Sequence, residues 1–298
     1  MSIQGGGPRS PDASPRLPEE PARSLLWNTE IQVLARDRTL ERRDGYLLVR
    51  SPQNPQHYWG NYLLFHDPPA AGDGPRWEAL FEAEFAGAAG VAHRAFGWDR
   101  ADGVLGEARP EFEARGYELQ QLAGLCAAAG RVRAHPRENR DVTVVALDPR
   151  PGAEPELWEQ VLEVWVASGE PPSEEGPLRR SFARGRLAAL RELFSAGRGS
   201  WYVALDAGGR EVLGCCGIVT SGRRARFQSV DTRSDWRRRG ICSRLLVEAC
   251  RHSEARHGSE CFVIAADPSY HALGLYESLG FEPAEQIARV CLAGAVSD

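Results

Sequence analysis

The chain has 298 residues, enough for one large or two ordinary domains, each with its own core. A net charge of −5 gives no general reason to expect nucleic acid, no apolar run approaches membrane-spanning length, and the N-terminus lacks the basic-then-apolar layout of a signal peptide. Seven cysteines without a Cys-x-x-Cys pair predict reduced thiols in a cytoplasmic protein and no metal site, and the absence of any lysine removes that residue from catalysis.

Residues 1–22 are rich in Gly, Pro, Ser and charge without periodicity, which predicts a disordered leader. Residues 23–130 read as a first folded region. Strands are predicted at 45–50 and 61–66, joined by a proline-containing loop. Pro75 opens a helix in which Trp77, Leu80, Phe81 and Phe85 share one face. A strand at 91–98, a helix at 107–115 and a strand at 117–125 follow. Tyr58 and Trp59, in the loop His57-Tyr58-Trp59-Gly60-Asn61, read as packing residues, although aromatics beside polar groups also make anchors for flat or cationic ligands. Residues 131–141 are polar and broken by Pro136, the pattern of a solvated linker.

Residues 142–298 form the second predicted domain. It opens with a strand at 142–147 and a helix at 156–167 with Leu157, Val161, Val164 and Trp165 on its buried side. A loop at 169–177 carrying Glu170, Glu174 and Glu175 leads to a helix at 178–194. Strands at 201–205 and 212–220 join at a turn over Ala207-Gly208-Gly209, and a third strand spans 226–232. Ile241, Leu245 and Ala249, with Leu246 and Cys250, then recur at helical spacing. A buried strand at 261–265, a helix opened by Pro268 and ended by Gly280, and a last strand at 287–292 complete the chain.

The turn before residue 241 is rich in arginine. A helix that starts there points unpaired N–H groups and the positive end of its dipole at one place, and Gly240 lets backbone approach an anion without a Cβ in the way. The order Arg237-x-x-Gly240-x-Cys242, with Trp236 before it, resembles the coenzyme A signature of the GNAT superfamily of N-acetyltransferases, Arg/Gln-x-x-Gly-x-Gly/Ala. Cys242 departs from it, standing where that family has Gly or Ala. Downstream, Ser269, Ala272, Leu275, Tyr276, Gly280 and Phe281 fall in register with the family's second segment, Asn-x-x-Ala-x-x-Leu-Tyr-x-x-x-Gly-Phe.

The resemblance implies an α/β (α+β) GNAT fold over 142–298, a mixed, mostly antiparallel central sheet flanked by helices. Residues 23–130 have a similar succession of elements but no Arg-x-x-Gly-x-Gly before the helix at Trp77, so they look like a degenerate, coenzyme-free copy. It further implies acetyl-CoA as co-substrate, without a metal, and a small-molecule amine as acceptor for a monomer or homodimer with no nucleic-acid or membrane partner. Backbone at Val230, Asp231 and Thr232 would hold the pantetheine arm. Arg237, Arg238, Arg239, Gly240, Ile241, Cys242 and Ser243, with Ser269 and Tyr276, would complete the coenzyme site. Tyr276 would protonate the departing sulfur. The strand before the turn offers no carboxylate except Asp231, so no general base is assigned. A protein or peptide N-terminal acetyltransferase and a non-catalytic acyl-CoA-binding sensor are the competing readings.

Overall fold

The structure, a computed structural model, describes residues 20–168, 176–269 and 272–294. The leader expected at 1–22 lies outside it up to residue 19, and so do Glu170, Glu174 and Glu175.

Among the described residues eleven strands form one sheet. In chain order they are β1 (Thr39–Arg43), β2 (Tyr46–Arg50), β3 (Tyr62–Phe65), β4 (Arg94–Trp98), β5 (Glu118–Ala128), β6 (Thr143–Ala146), β7 (Gly199–Leu205), β8 (Val212–Ser221), β9 (Arg224–Thr232), β10 (Cys261–Ala266) and β11 (Glu282–Leu292). The α-helices that flank it among the described residues are α1 (Leu25–Gln32), α2 (Asp73–Glu84), α3 (Arg109–Ala114), α4 (Pro155–Ser168), α5 (Gly176–Ser195), α6 (Ile241–His257) and α7 (Ala272–Ser278). Pairing is antiparallel except at β3·β4 and β9·β10. None of these helices is long and apolar enough to cross a membrane.

The spatial order is β1-β2-β3-β4-β11-β5-β10-β9-β8-β7-β6. The last strand of the chain therefore sits among the strands of its first half, between β4 and β5. In return, β5 sits between β11 and β10. The two halves expected at 23–130 and 142–298 thus exchange strands, and the sheet runs across their boundary.

Each helix covers the sheet for a legible reason. Trp158, Val161, Leu162 and Val164 of α4 pack with Leu190 of α5 onto Trp201 and Val203. Leu245, Leu246, Ala249 and Cys250 of α6 pack on the opposite face against Tyr202, Phe227 and Phe262. Trp77 and Phe81 of α2 meet Phe65 and Phe96, and the Trp77 and Phe65 rings stack at 3.7 Å.

Two elements escape the sequence reading. Helix α1 buries Leu26, Trp27, Asn28, Thr29 and Ile31, so it shows no polar stripe. Its first turn is capped by Glu285 of β11, which accepts from the Leu25 N–H at 2.9 Å and the Leu26 N–H at 3.0 Å. Strand β1 is T-L-E-R-R, charged because it forms an edge of the sheet. Pro268, expected to open a helix, lies in a local turn where the Ser269 N–H and hydroxyl both donate to Asp267 Oδ1, and the described part of α7 runs from Ala272 to Ser278. Tyr58 and Trp59 pack as expected: Tyr58 stacks on His93, and Trp59 lies near Trp27 with the Arg289 guanidinium over its ring.

Candidate active site

Strands β9 and β10 pair over only three positions, Arg224 to Arg226 against Cys261 to Val263. Beyond them β9 runs on to Thr232 while held by β8 alone. A bulge lies on this free stretch. Ser229 has φ +46°, and the pairing with β8 jumps from Gly217↔Gln228 to Cys215↔Asp231. The extra residue brings Gln228 and Asp231 to the same face, that of α4 and α5, although they are three apart. Gln228 meets Arg186 of α5, whose Nη2 donates to its Oε1 at 3.0 Å.

The gap opens on a cavity of about 700 Å³. Of the sequence-predicted residues, it brings together Val230, Asp231, Thr232, Arg237, Arg238, Gly240, Ile241, Cys242, Ser243 and Tyr276. Two are left out. Arg239 lies over the Trp236 ring at 4.6 Å, and the Ser269 hydroxyl is engaged by Asp267. Among the described residues, no acceptor outside the helix takes the N–H groups of residues 238–243, which face the start of α6.

Gly240 needs correction. Its φ is +74°, but a Cβ there would lie 2.0 Å from the Arg137 carbonyl oxygen and 2.7 Å from the Asn139 nitrogen. The missing side chain therefore makes room for residues 131–141. That segment is laid across the site, where a solvated linker was expected. The Asn139 N–H donates to the Gly240 carbonyl at 3.1 Å, and the Arg133 N–H donates to that of Leu279 at 2.8 Å. The linker thereby ties the start of α6 to the end of α7, and its His135 and Arg137 join the cavity wall. Only its basic composition could have signalled this role.

Two side chains on the wall are tuned by burial. Asp231 is pushed up to about 6 by burial, opposed by the Ser168 hydroxyl beside it and by the Arg237 and Arg179 charges. Burial also pushes the Cys242 thiol up to about 12, with the nearby Asp231 charge adding to it, so this thiol is not a nucleophile at neutral pH.

Tyr276 is 5 % exposed and borders a second space on the other side of the gap, a chamber of about 310 Å³. The chamber and the cavity share Val230, Ala272 and Tyr276. The first half of the chain contributes Glu30 to the chamber wall.

The corresponding corner of the first half is closed. Strands β3 and β4 stay paired to Phe65↔Trp98, and the Asp99 N–H continues the ladder to the Phe65 carbonyl. The N–H groups of Gly72 and Gly74, at the start of α2, donate to the Glu111 carboxylate at 2.6 and 3.2 Å. A carboxylate of the chain itself thus takes the place an outside anion would take.

Residues 197–283 match the family model described as "Acetyltransferase (GNAT) domain". That match covers the segment from β7 to the start of β11, and the fold as a whole is similar to that of a tandem GNAT protein. A GCN5-related N-acetyltransferase from Kribbella flavida is similar at 12% identity, with 91% of this chain and 95% of that one covered and a TM-score of 0.60. A tandem GNAT protein from the clavulanic acid biosynthesis pathway is similar at 15% identity, with 91% and 89% covered and a TM-score of 0.51. A conserved protein of unknown function from Staphylococcus epidermidis has a TM-score of 0.67 at 13% identity, with 87% and 95% covered. No curated protein sequence matches the chain. The matched segment contains the gap, the α6 start and Tyr276, so the GNAT domain's motifs coincide with the cavity. Among the described residues no group of His, Cys, Asp and Glu could hold a metal ion.

Proposed function

We propose that the protein transfers an acetyl group from acetyl-CoA to a primary amine of a small molecule, with residues 142–298 as the catalytic half and 23–130 as a coenzyme-free copy. One observation carries this reading: a cavity lined by the α6 start and a second, smaller chamber meet at Val230 and Tyr276. A chamber of about 310 Å³ suits a small acceptor better than an extended peptide. Free thiols at all seven cysteines support a cytoplasmic setting.

The residues present fit coenzyme A. N–H groups of residues 238–243 and the Arg237, Arg238 and Arg137 guanidinium groups would hold its phosphates, and backbone at Val230 and Thr232 the pantetheine amides. The bound thioester supplies the acetyl group. Asp231 takes the proton the amine sheds as the C–N bond forms. Tyr276 gives its phenolic proton to the sulfur as the C–S bond breaks, and solvent returns a proton from Asp231 to Tyr276.

Titrating the protein with acetyl-CoA in a calorimeter is expected to give a saturable heat, with roughly threefold to tenfold weaker binding in Arg137→Ala. A wild-type protein that gives no heat sinks the coenzyme reading. Unchanged affinity in the variant removes the linker from the site. For Asp231 the sign is fixed by its role as a base. Turnover should rise as pH climbs through about 6, where the carboxyl ionises. Asp231→Asn should lower kcat/KM by about 100-fold and erase that limb. A limb that survives the substitution assigns the titration elsewhere.

A further inference from the structure

Charge is unbalanced beside the chamber beyond Val230: of three arginines there, Arg226 lines its wall, Arg186 reaches the wall through Gln228, and Arg289 lies behind it. Arg226 of β9 is 5 % exposed, lines the chamber, and donates through Nη2 to Glu30 of α1 at 2.5 Å. Its Nε is buried without a hydrogen-bond partner. Arg186 of α5, 6 % exposed, donates to the Val33 carbonyl at 2.8 Å and to Gln228, which is itself on the chamber wall. Arg289 of β11 donates to Gln120 at 3.0 Å and lies over the Trp59 ring at 3.9 Å.

All three guanidinium groups act on Glu30. Burial alone would raise this carboxyl, yet Arg226, Arg289 and Arg186 hold it below its ordinary range. Burial pushes Arg186 and Arg289 down to about 10, which leaves both charged at neutral pH. Among the described residues, neither has a carboxylate within ion-pair distance. Asp267, the other acid on the wall, is exposed and engaged by Ser269. One half-buried carboxylate thus stands among three buried or half-buried arginines. Positive charge held out of water without a counter-ion is costly, and an anion entering beside it is favoured.

We propose that this chamber receives the amine acceptor, and that the acceptor carries a carboxylate or a phosphate which rests against the Arg226–Gln228 wall. Its amine then points to the Val230–Tyr276 end, where the two spaces meet. The inference rests on the acetyl-transfer reading and narrows it: the substrate class is an anion-bearing amine, and α1 and β11 supply part of its recognition. The first half of the chain is then an acceptor-binding element that has lost its own coenzyme corner.

The test uses the full-length protein and acceptors in matched pairs. One arm sets amino acids against their decarboxylated amines, and the other sets amino-sugar phosphates against the unphosphorylated sugars. Acetyl-CoA affinity is measured calorimetrically in the same preparations. The anion-bearing member of at least one arm should have a kcat/KM at least tenfold higher, and the arm that responds identifies the anion. Glu30→Gln removes the lone countercharge and should lower KM for that acceptor while leaving coenzyme affinity unchanged. If Glu30→Gln does not fold, Gln228→Glu places a carboxylate on the same wall and should raise KM at least tenfold for anionic acceptors only. Amines without an anion used equally well or better overturn the proposal, as does a substitution that shifts both members of each pair alike. Loss of coenzyme binding by the wild type would strike the parent reading instead.

Discussion

Residues 142–298 produced without residues 20–130 are expected not to fold. Strand β5 is the reason. It makes six register pairs with β10 and nine with β11, and both strands lie in residues 142–298. Removing it strips one side of β10 and one side of β11 together. The side chains of Phe262, Val263, Ile264, Ile287 and Val290 are all buried in the intact sheet. Leaving even a few buried N–H and C=O groups unpaired costs about 1–3 kcal/mol each. A whole domain is stable by only about 5–15 kcal/mol, so the loss exceeds what the half can absorb. The reverse fragment fails for the same reason, because β4 and β5 would lose β11 from between them. Urea unfolding followed by circular dichroism should show no cooperative transition for either fragment. Co-expressing residues 142–298 with residues 20–141, which keep the linker and its Arg137, should restore one, along with acetyl-CoA binding. A residue 142–298 fragment that unfolds cooperatively and binds coenzyme by itself would show that β5 is replaceable.

This interlock is the part of the fold that local sequence could not reveal. β5 and β11 each read as one more strand, and nothing in E-L-Q-Q-L-A-G-L-C-A-A or E-P-A-E-Q-I-A-R-V-C-L names its neighbour. What was legible was local. Apolar residues at helical spacing placed α2, α4 and α6 within a few residues, and Gly280, with φ +100°, does end its helix. The two motif segments were legible because each is local in sequence, one at the start of α6 and one along α7, and the structure brings both to one cavity. Four features depended on distant partners and were missed or misread. Helix α1 is capped from β11, the linker crosses Gly240, Glu111 closes the first-half corner, and Glu30 reaches Arg226. Asp231 was visible as the nearest carboxylate, but its elevated proton affinity comes from burial under α4 that sequence spacing does not report.

Tyr276→Phe should lower kcat by about 100-fold while acetyl-CoA affinity holds. The substitution removes one hydroxyl and keeps the ring that packs near Phe281 at 6.2 Å, in the core shared with Phe227 and Phe262. The helix should also survive, because the Phe281 N–H still bonds the carbonyl of residue 276 at 3.1 Å. A phenol that acts only as the C–S bond breaks contributes to the transition state and little to the ground state. Thus kcat and kcat/KM should fall together, with KM nearly constant. A pure packing role predicts something different: a lowered melting temperature, weaker coenzyme binding and an unchanged kcat at saturation. A sensor predicts a third pattern, with coenzyme bound equally by both forms and no turnover in either. Steady-state kinetics, calorimetry and a thermal melt on one pair of proteins separate all three. The position of Tyr276 at the shared wall of cavity and chamber is what makes the first pattern the expected one, since under the proposed reaction the sulfur would leave where the two spaces join.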